Sequence, residues 1–203
     1  DTAFTQEGYG YWRRQPFGIY EVGENASPAL ADLDNDGDLD MFIANRSGCD
    51  IYANYHRCQN IKFFLNTGSA SAPAFTRGAY EGLYRTNNQP GWLRPMPQGD
   101  WGPYIRPALV DIDADGDFDL FIGGSQGYTK FFENIGTATS PRFHDRGHRT
   151  FGIDPVYRHA SPTFGDIDDD GDFDAFVGNS IGSTTVFRNV GSASAPDFVR
   201  ESA

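Results

Sequence analysis

Three short stretches of the chain gather more carboxylates than a fold needs for solubility: DLDNDGDLD at Asp32–Asp40, DIDADGDFD at Asp111–Asp119 and DIDDDGDFD at Asp166–Asp174. In each, aspartates stand at positions 1, 3, 5, 7 and 9 with a glycine at position 6. The sets are Asp32, Asp34, Asp36, Asp38 and Asp40 around Gly37; Asp111, Asp113, Asp115, Asp117 and Asp119 around Gly116; and Asp166, Asp168, Asp170, Asp172 and Asp174 around Gly171. Alternate carboxylates in a loop that curls at a glycine converge on one point. Oxygen-only, mostly anionic ligands suit a hard cation, and Ca2+ accepts about six to eight of them in flexible geometry. The expected ligands are the side chains at positions 1, 3, 5 and 9 and the carbonyl at position 7, which makes three Ca2+ sites.

An EF-hand is excluded. Its loop ends in a bidentate Glu at position 12 between two helices, whereas position 12 here is Ile43, Ile122 or Val177. The flanks alternate, or run continuously apolar, as strands do. The three stretches hold sixteen of the 28 acidic residues, so the net charge of −12 belongs to the loops. That charge argues against nucleic acid and anionic membrane surfaces as partners. No stretch is long and apolar enough to insert in a membrane.

The elements that must position these loops form a longer repeat. A Pro precedes each cluster (SPALADLD, RPALVDID, SPTFGDID). An apolar run follows it (MFIA, LFIG, AFVG), then a strand-like stretch ending in Asn-x-Gly (IKFFLNTG, TKFFENIG, TTVFRNVG) and a small-residue turn ending in Pro-x-Phe. Each unit reads as four short strands with Gly and Asn marking the turns. No stretch has helical periodicity. We divide the chain into an N-terminal strand segment (1–27), repeat 1 (28–82), a Pro/Gly/Trp loop (83–106), repeat 2 (107–150), and repeat 3 with a C-terminal strand (151–203), all within one repeat-built domain.

Repeat 1 carries 11 extra residues between its aspartates and Asn66, and Cys49 and Cys58 lie in them. A disulfide clipping that insertion is the reading if the protein is extracellular, with two unrelated thiols as the alternative. Asn25 and Asn45 begin N-x-Ser patterns that accept N-linked glycans in a host with the machinery. No nucleophile elbow, P-loop or zincin motif is present, and His144 and His148 sit in a strand or turn context, so no enzyme is expected.

Asp-x-Asp-x-Asp-Gly-x-x-Asp, an apolar strand, Asn-x-Gly and Pro-x-Phe together resemble the FG-GAP/VCBS repeats of integrin-type and bacterial surface proteins. The resemblance implies an all-β chain of three four-stranded propeller-blade-like repeats, each with a Ca2+-binding Asp loop between its first two strands. It also implies an extracellular or cell-surface setting. Closed propellers use about four to eight blades, so three imply an incomplete or open propeller completed by neighbouring chains. Four segments begin with Phe (Phe4, Phe75, Phe143, Phe198) against three loops. A surplus strand, either AFTQEGYGYW or DFVRES, is therefore expected to complete a neighbour's sheet. The functional expectation is a non-catalytic, calcium-binding structural or adhesive protein whose partners are copies of itself. The alternatives are a propeller-type lectin binding glycans through Trp12, Trp92, Trp101 or Tyr104, and a ligand-binding fragment of a larger adhesin.

Overall fold

The computed structural model describes residues 16–19, 25–46, 61–77 and 104–202. Cys49 and Cys58, Trp12, Trp92, Trp101 and the strand expected around Phe4 lie outside the described residues.

Among those residues the fold is all-β, with two single 3-10 turns at Pro16–Gly18 and Thr150–Gly152. Each repeat makes one antiparallel sheet from four consecutive strands. The first contains β1 (Ser27–Ala31), β2 (Asp40–Ala44), β3 (Ile61–Asn66) and β4 (Phe75–Arg77). The second contains β5 (Arg106–Val110), β6 (Asp119–Gly123), β7 (Thr129–Asn134) and β8 (Phe143–His148). The third contains β9 (Ser161–Gly165), β10 (Asp174–Gly178), β11 (Thr184–Asn189) and β12 (Phe198–Arg200). The C-terminal DFVRES segment therefore supplies the fourth strand of its own sheet, with Asn189 opposite Phe198. It is not free to complete another. No described helix is long and apolar enough to cross a membrane.

Among the described residues the sheets stack face to face without closing a ring, and β5 lies beside both β1 and β9. Side chains alternate across a strand, so each sheet has a leading face toward the next sheet and a trailing face toward the previous one. Phe42 and Phe63 on the leading face of the first sheet meet Leu120, Ile122 and Phe132 on the trailing face of the second. Phe121 and Phe131 on the second sheet's leading face meet Ala175, Val177 and Phe187 of the third. This explains why the second strand of each repeat reads as an unbroken apolar run: β2 and β6 are buried from end to end because both of their faces are packed. Phe121 stacks against Phe131 at 4.7 Å and against Phe164 of the third sheet at 4.5 Å. Such pairs add about 0.5–1.5 kcal/mol beyond area burial.

Close approach of the second and third sheets depends on Gly123, where the first sheet has Ala44. A Cβ there would lie 2.1 Å from the Ala160 carbonyl oxygen, with no flexible group to yield. Gly123→Ala is expected to lower stability by about 1–3 kcal/mol. Gly165→Ala, where the added carbon meets nothing within 4 Å, should leave it unchanged. Thermal denaturation of the two variants checks this, and equal midpoints would contradict the packing described.

Candidate metal centre

Each Asp loop joins the first and second strands of its sheet, and the same hydrogen bonds shape all three. The carboxylate at position 1 accepts from the backbone N–H groups at positions 5 and 6, as Asp111 does from Asp115 at 3.1 Å and Gly116 at 3.1 Å. The carboxylate at position 5 accepts from the N–H at position 7, as Asp115 does from Asp117 at 3.1 Å. The curl needs two left-handed residues in each loop. The glycine at position 6 is one (φ 92, 94 and 91° at Gly37, Gly116 and Gly171). Position 4 is the other (Asn35, Ala114 and Asp169, φ 57, 56 and 61°). Asn and Asp tolerate that region far better than Ala.

These bonds gather carboxylates. One oxygen from each of Asp32, Asp34 and Asp36 lies within 4.8 Å of the others, and Asp111, Asp113 and Asp115, and Asp166, Asp168 and Asp170, do the same. Positions 1, 3 and 5 are thus brought together as expected. Positions 7 and 9 have further roles. The position 9 side chains Asp40, Asp119 and Asp174 are each 1% exposed. Each accepts from the backbone N–H of the asparagine that ends the third strand: Asn66 at 2.8 Å, Asn134 at 2.6 Å and Asn189 at 2.8 Å. Position 9 therefore pins the loop to the sheet whatever else it holds. The position 7 side chains Asp38, Asp117 and Asp172 are buried too.

Whether these residues suit a cation is decided by the oxygens left over. Asp34 Oδ1, Asp38 Oδ1, Asp113 Oδ1, Asp117 Oδ1, Asp119 Oδ2 and Asp172 Oδ1 are buried without a hydrogen-bond partner. A buried carboxylate oxygen with nothing to accept from is costly. Here such oxygens stand beside a carboxylate triad, which only in the third loop has a basic partner, Arg188 on Asp168. The donor set, all oxygen and anionic, is that of Ca2+.

The asparagines are functional residues that sequence reading used only as strand-end markers. Asn134 Oδ1 accepts from Gly136 at 3.0 Å and Arg142 at 2.7 Å, closing the turn between β7 and β8. Asn66 and Asn189 repeat this with Gly68 and Ala74, and with Gly191 and Asp197. The fixed 15-residue step from position 9 to the asparagine in repeats 2 and 3 was the available signal.

The loops differ in their neighbours. Arg188 of β11 forms an ion pair with Asp168, a position 3 residue, and lies 3.8 Å from Asp174. The matching place in the second sheet is Glu133, whose charge adds to that of Asp113. Of the other residues singled out, Asn25 is exposed, while Asn45 is only 2% exposed, which leaves a glycan no room. His144 and His148 lie on β8. Tyr104 is half-buried, with its ring 4.6 Å from that of His159 and the Arg46 guanidinium over it.

Residues 111–177, which run from the first aspartate of the second loop to the second strand of the third repeat, match the family model of an FG-GAP-like repeat. No curated protein matches the chain.

Burial, and then repulsion from neighbouring aspartates, holds Asp34, Asp38, Asp40, Asp113, Asp117, Asp119 and Asp172 above the usual carboxylate range. Asp119 is pushed up to about 8, chiefly by desolvation, and Asp117 and Asp40 to about 6 for the same leading reason. A folded-state pKa above the unfolded one stabilises the fold below the unfolded value, and that contribution is lost as pH rises through the folded value. In chelator, thermal stability should therefore fall as pH is raised from about 4 to about 8. A flat or rising profile in chelator would show that burial does not penalise the charged form of these carboxylates.

Proposed function

We propose that this chain is a non-catalytic, calcium-binding structural or adhesive protein of the cell exterior that assembles with copies of itself. The observation that carries the calcium part is the threefold recurrence of one geometry: a carboxylate triad within 4.8 Å, beside buried carboxylate oxygens without a partner. Asp32, Asp34, Asp36 and Asp40 would hold the ion in the first loop, with the equivalent residues in the other two and the position 7 carbonyl of each. Bound Ca2+ supplies the positive charge that the loops lack, and three ions would take the formal charge from −12 to −6. The ions tie folding to a calcium-rich setting, because ligands that repel one another in the empty loop are drawn together in the filled one. Each filled site adds about 2.7 kcal/mol at 100 times its dissociation constant. The FG-GAP-like match supports the extracellular, adhesive reading.

The assembly part rests on three stacked sheets that do not close on themselves. A second reading, glycan binding, is favoured by one observation. Ser125, Gln126, Tyr157, Arg158 and His159 line an open cleft at the joint of the second and third repeats, and Tyr157 is 63% exposed. A glycan array on the calcium-loaded chain separates the readings.

Isothermal titration with Ca2+ tests the main proposal. Three binding events are expected, with Asp113→Ala removing one and Mg2+ giving far weaker heats. The third loop should bind most weakly, because Arg188 competes for Asp168, and Arg188→Leu should tighten it several-fold. Absence of calcium heats, together with a thermal midpoint unmoved by chelator, would overturn the proposal.

A further inference from the structure

Part of the joint between the second and third sheets is made by β9 and the residues that precede it. The Phe151 ring lies 5.0 Å from that of Phe131. Ala160 is fully buried, and its carbonyl oxygen fills the space beside Gly123. Pro162 is buried, and Phe164 stacks on Phe121.

The same stretch stands once more, at the same length, ahead of β1. Phe17-Gly18-Ile19 matches Phe151-Gly152-Ile153, and Asn25-Ala26-Ser27-Pro28 matches His159-Ala160-Ser161-Pro162. The backbone matches as well: φ is 62° at Phe17 and 59° at Phe151, and 55° at Asn25 and 52° at His159. So does its seat on its own sheet. A Cβ on Gly18 would lie 2.4 Å from the Phe75 carbonyl oxygen, and one on Gly152 would lie 2.4 Å from that of Phe198. What differs is the cover. Phe17 is 58% exposed, Leu30, in the place of Phe164, is 52% exposed, and Ala26 and Pro28 are exposed.

The leading face of the third sheet is the other half. Phe176 and Val186 occupy the places of Phe121 and Phe131, which are 1% and 3% exposed, yet both are only half-buried. Val199 on the same face is 52% exposed, and Ile181 at its rim 66%. Gly178 occupies the place of Gly123. Its φ is not left-handed, and a Cβ on it would meet nothing closer than 3.7 Å. Nothing in its own sheet asks for glycine. In the second sheet that glycine admits the carbonyl of the following repeat.

We infer that these two surfaces are one interface divided between two copies of this chain. The leading face of the third sheet in one copy receives β1 and residues ahead of it, Phe17 and Ala26 among them, in another. Phe17 then stands by Val186, Leu30 by Phe176, and the Ala26 carbonyl against Gly178. The occupant is a second copy because Phe17, Ala26 and Leu30 repeat the places that Phe151, Ala160 and Phe164 hold in the joint between the second and third sheets, while Met41, Ile43 and Phe64, in the places of Ala175, Val177 and Phe187, are already buried within the chain. It works by face packing, not strand exchange, since β12 is paired in its own sheet. A heterologous contact of this kind closes a ring or propagates a filament according to its rotation. Two copies would give six blades, within the range of closed propellers.

The inference rests on the assembly reading above, and the test separates the two. Sedimentation velocity is run on the full chain in millimolar calcium across a concentration series, with Phe17→Glu and Gly178→Arg, and thermal midpoints confirm that both variants fold. The wild type should associate, and each variant should require at least about tenfold more protein to do so, a loss of about 1.4 kcal/mol. A mixture of the two variants retains one intact half on each, so it should form pairs and nothing larger. Unchanged association of both folded variants would overturn this interface while leaving assembly standing. A wild type monomeric at every concentration would overturn both.

Discussion

A carboxylate buried to 1% exposure and fixed by a backbone N–H is the constraint on which each repeat is organised. Asp119 accepts from Asn134, so the end of the Asp loop, where β6 begins, is tied to the end of the neighbouring strand β7. Asn134 in turn closes the turn into β8 through its side-chain oxygen. One polar relay thus runs from the second strand through the third to the turn into the fourth, and the same relay runs through Asp40 and Asn66, and through Asp174 and Asn189. In a sheet whose faces are both apolar, such a relay fixes register where hydrophobic packing alone tolerates slippage. The rest of the loop hangs from this anchor, which explains why its free oxygens converge.

Much of this was legible in the residues. The alternation of PALVDID, the apolar run of DLFIG and the Gly and Asn punctuation predict four strands per unit, and the sheets contain them. The Asp spacing predicts that positions 1, 3 and 5 meet, and they do. The relay was not legible, because Asn in Asn-x-Gly looks the same whether it only turns the chain or also holds a carboxylate. The pairing of DFVRES within its own sheet was hidden for a related reason. Strands with one pattern can add to any sheet of that pattern, and only the coordinates tell which edge a given one occupies. Nor could sequence separate the buried Asn45 from the exposed Asn25, since both sit in the same tripeptide and burial depends on the neighbouring sheet.

Charge and packing pull the repeats in opposite directions. Apolar faces bring the sheets together, while the loops collect more negative charge than the surrounding chain offsets. The third repeat relieves part of this internally, with Arg188 reaching Asp168, Asp174 and Glu201. In the second repeat the matching residue is an acid, Glu133, which is itself paired with Arg146. Near-identical loops therefore sit in different electrostatic surroundings, so identical motifs need not behave as identical sites.

The two main cores have a further consequence. One joins the first sheet to the second and the other joins the second to the third, and neither spans all three. Coupling in such an array passes between nearest neighbours only. The middle sheet has a neighbouring sheet on both sides and each outer sheet on one, so melting should proceed inward from the ends as separable steps. A single unfolding free energy would then be a poor description of this molecule, and its cooperativity becomes a count of intact joints.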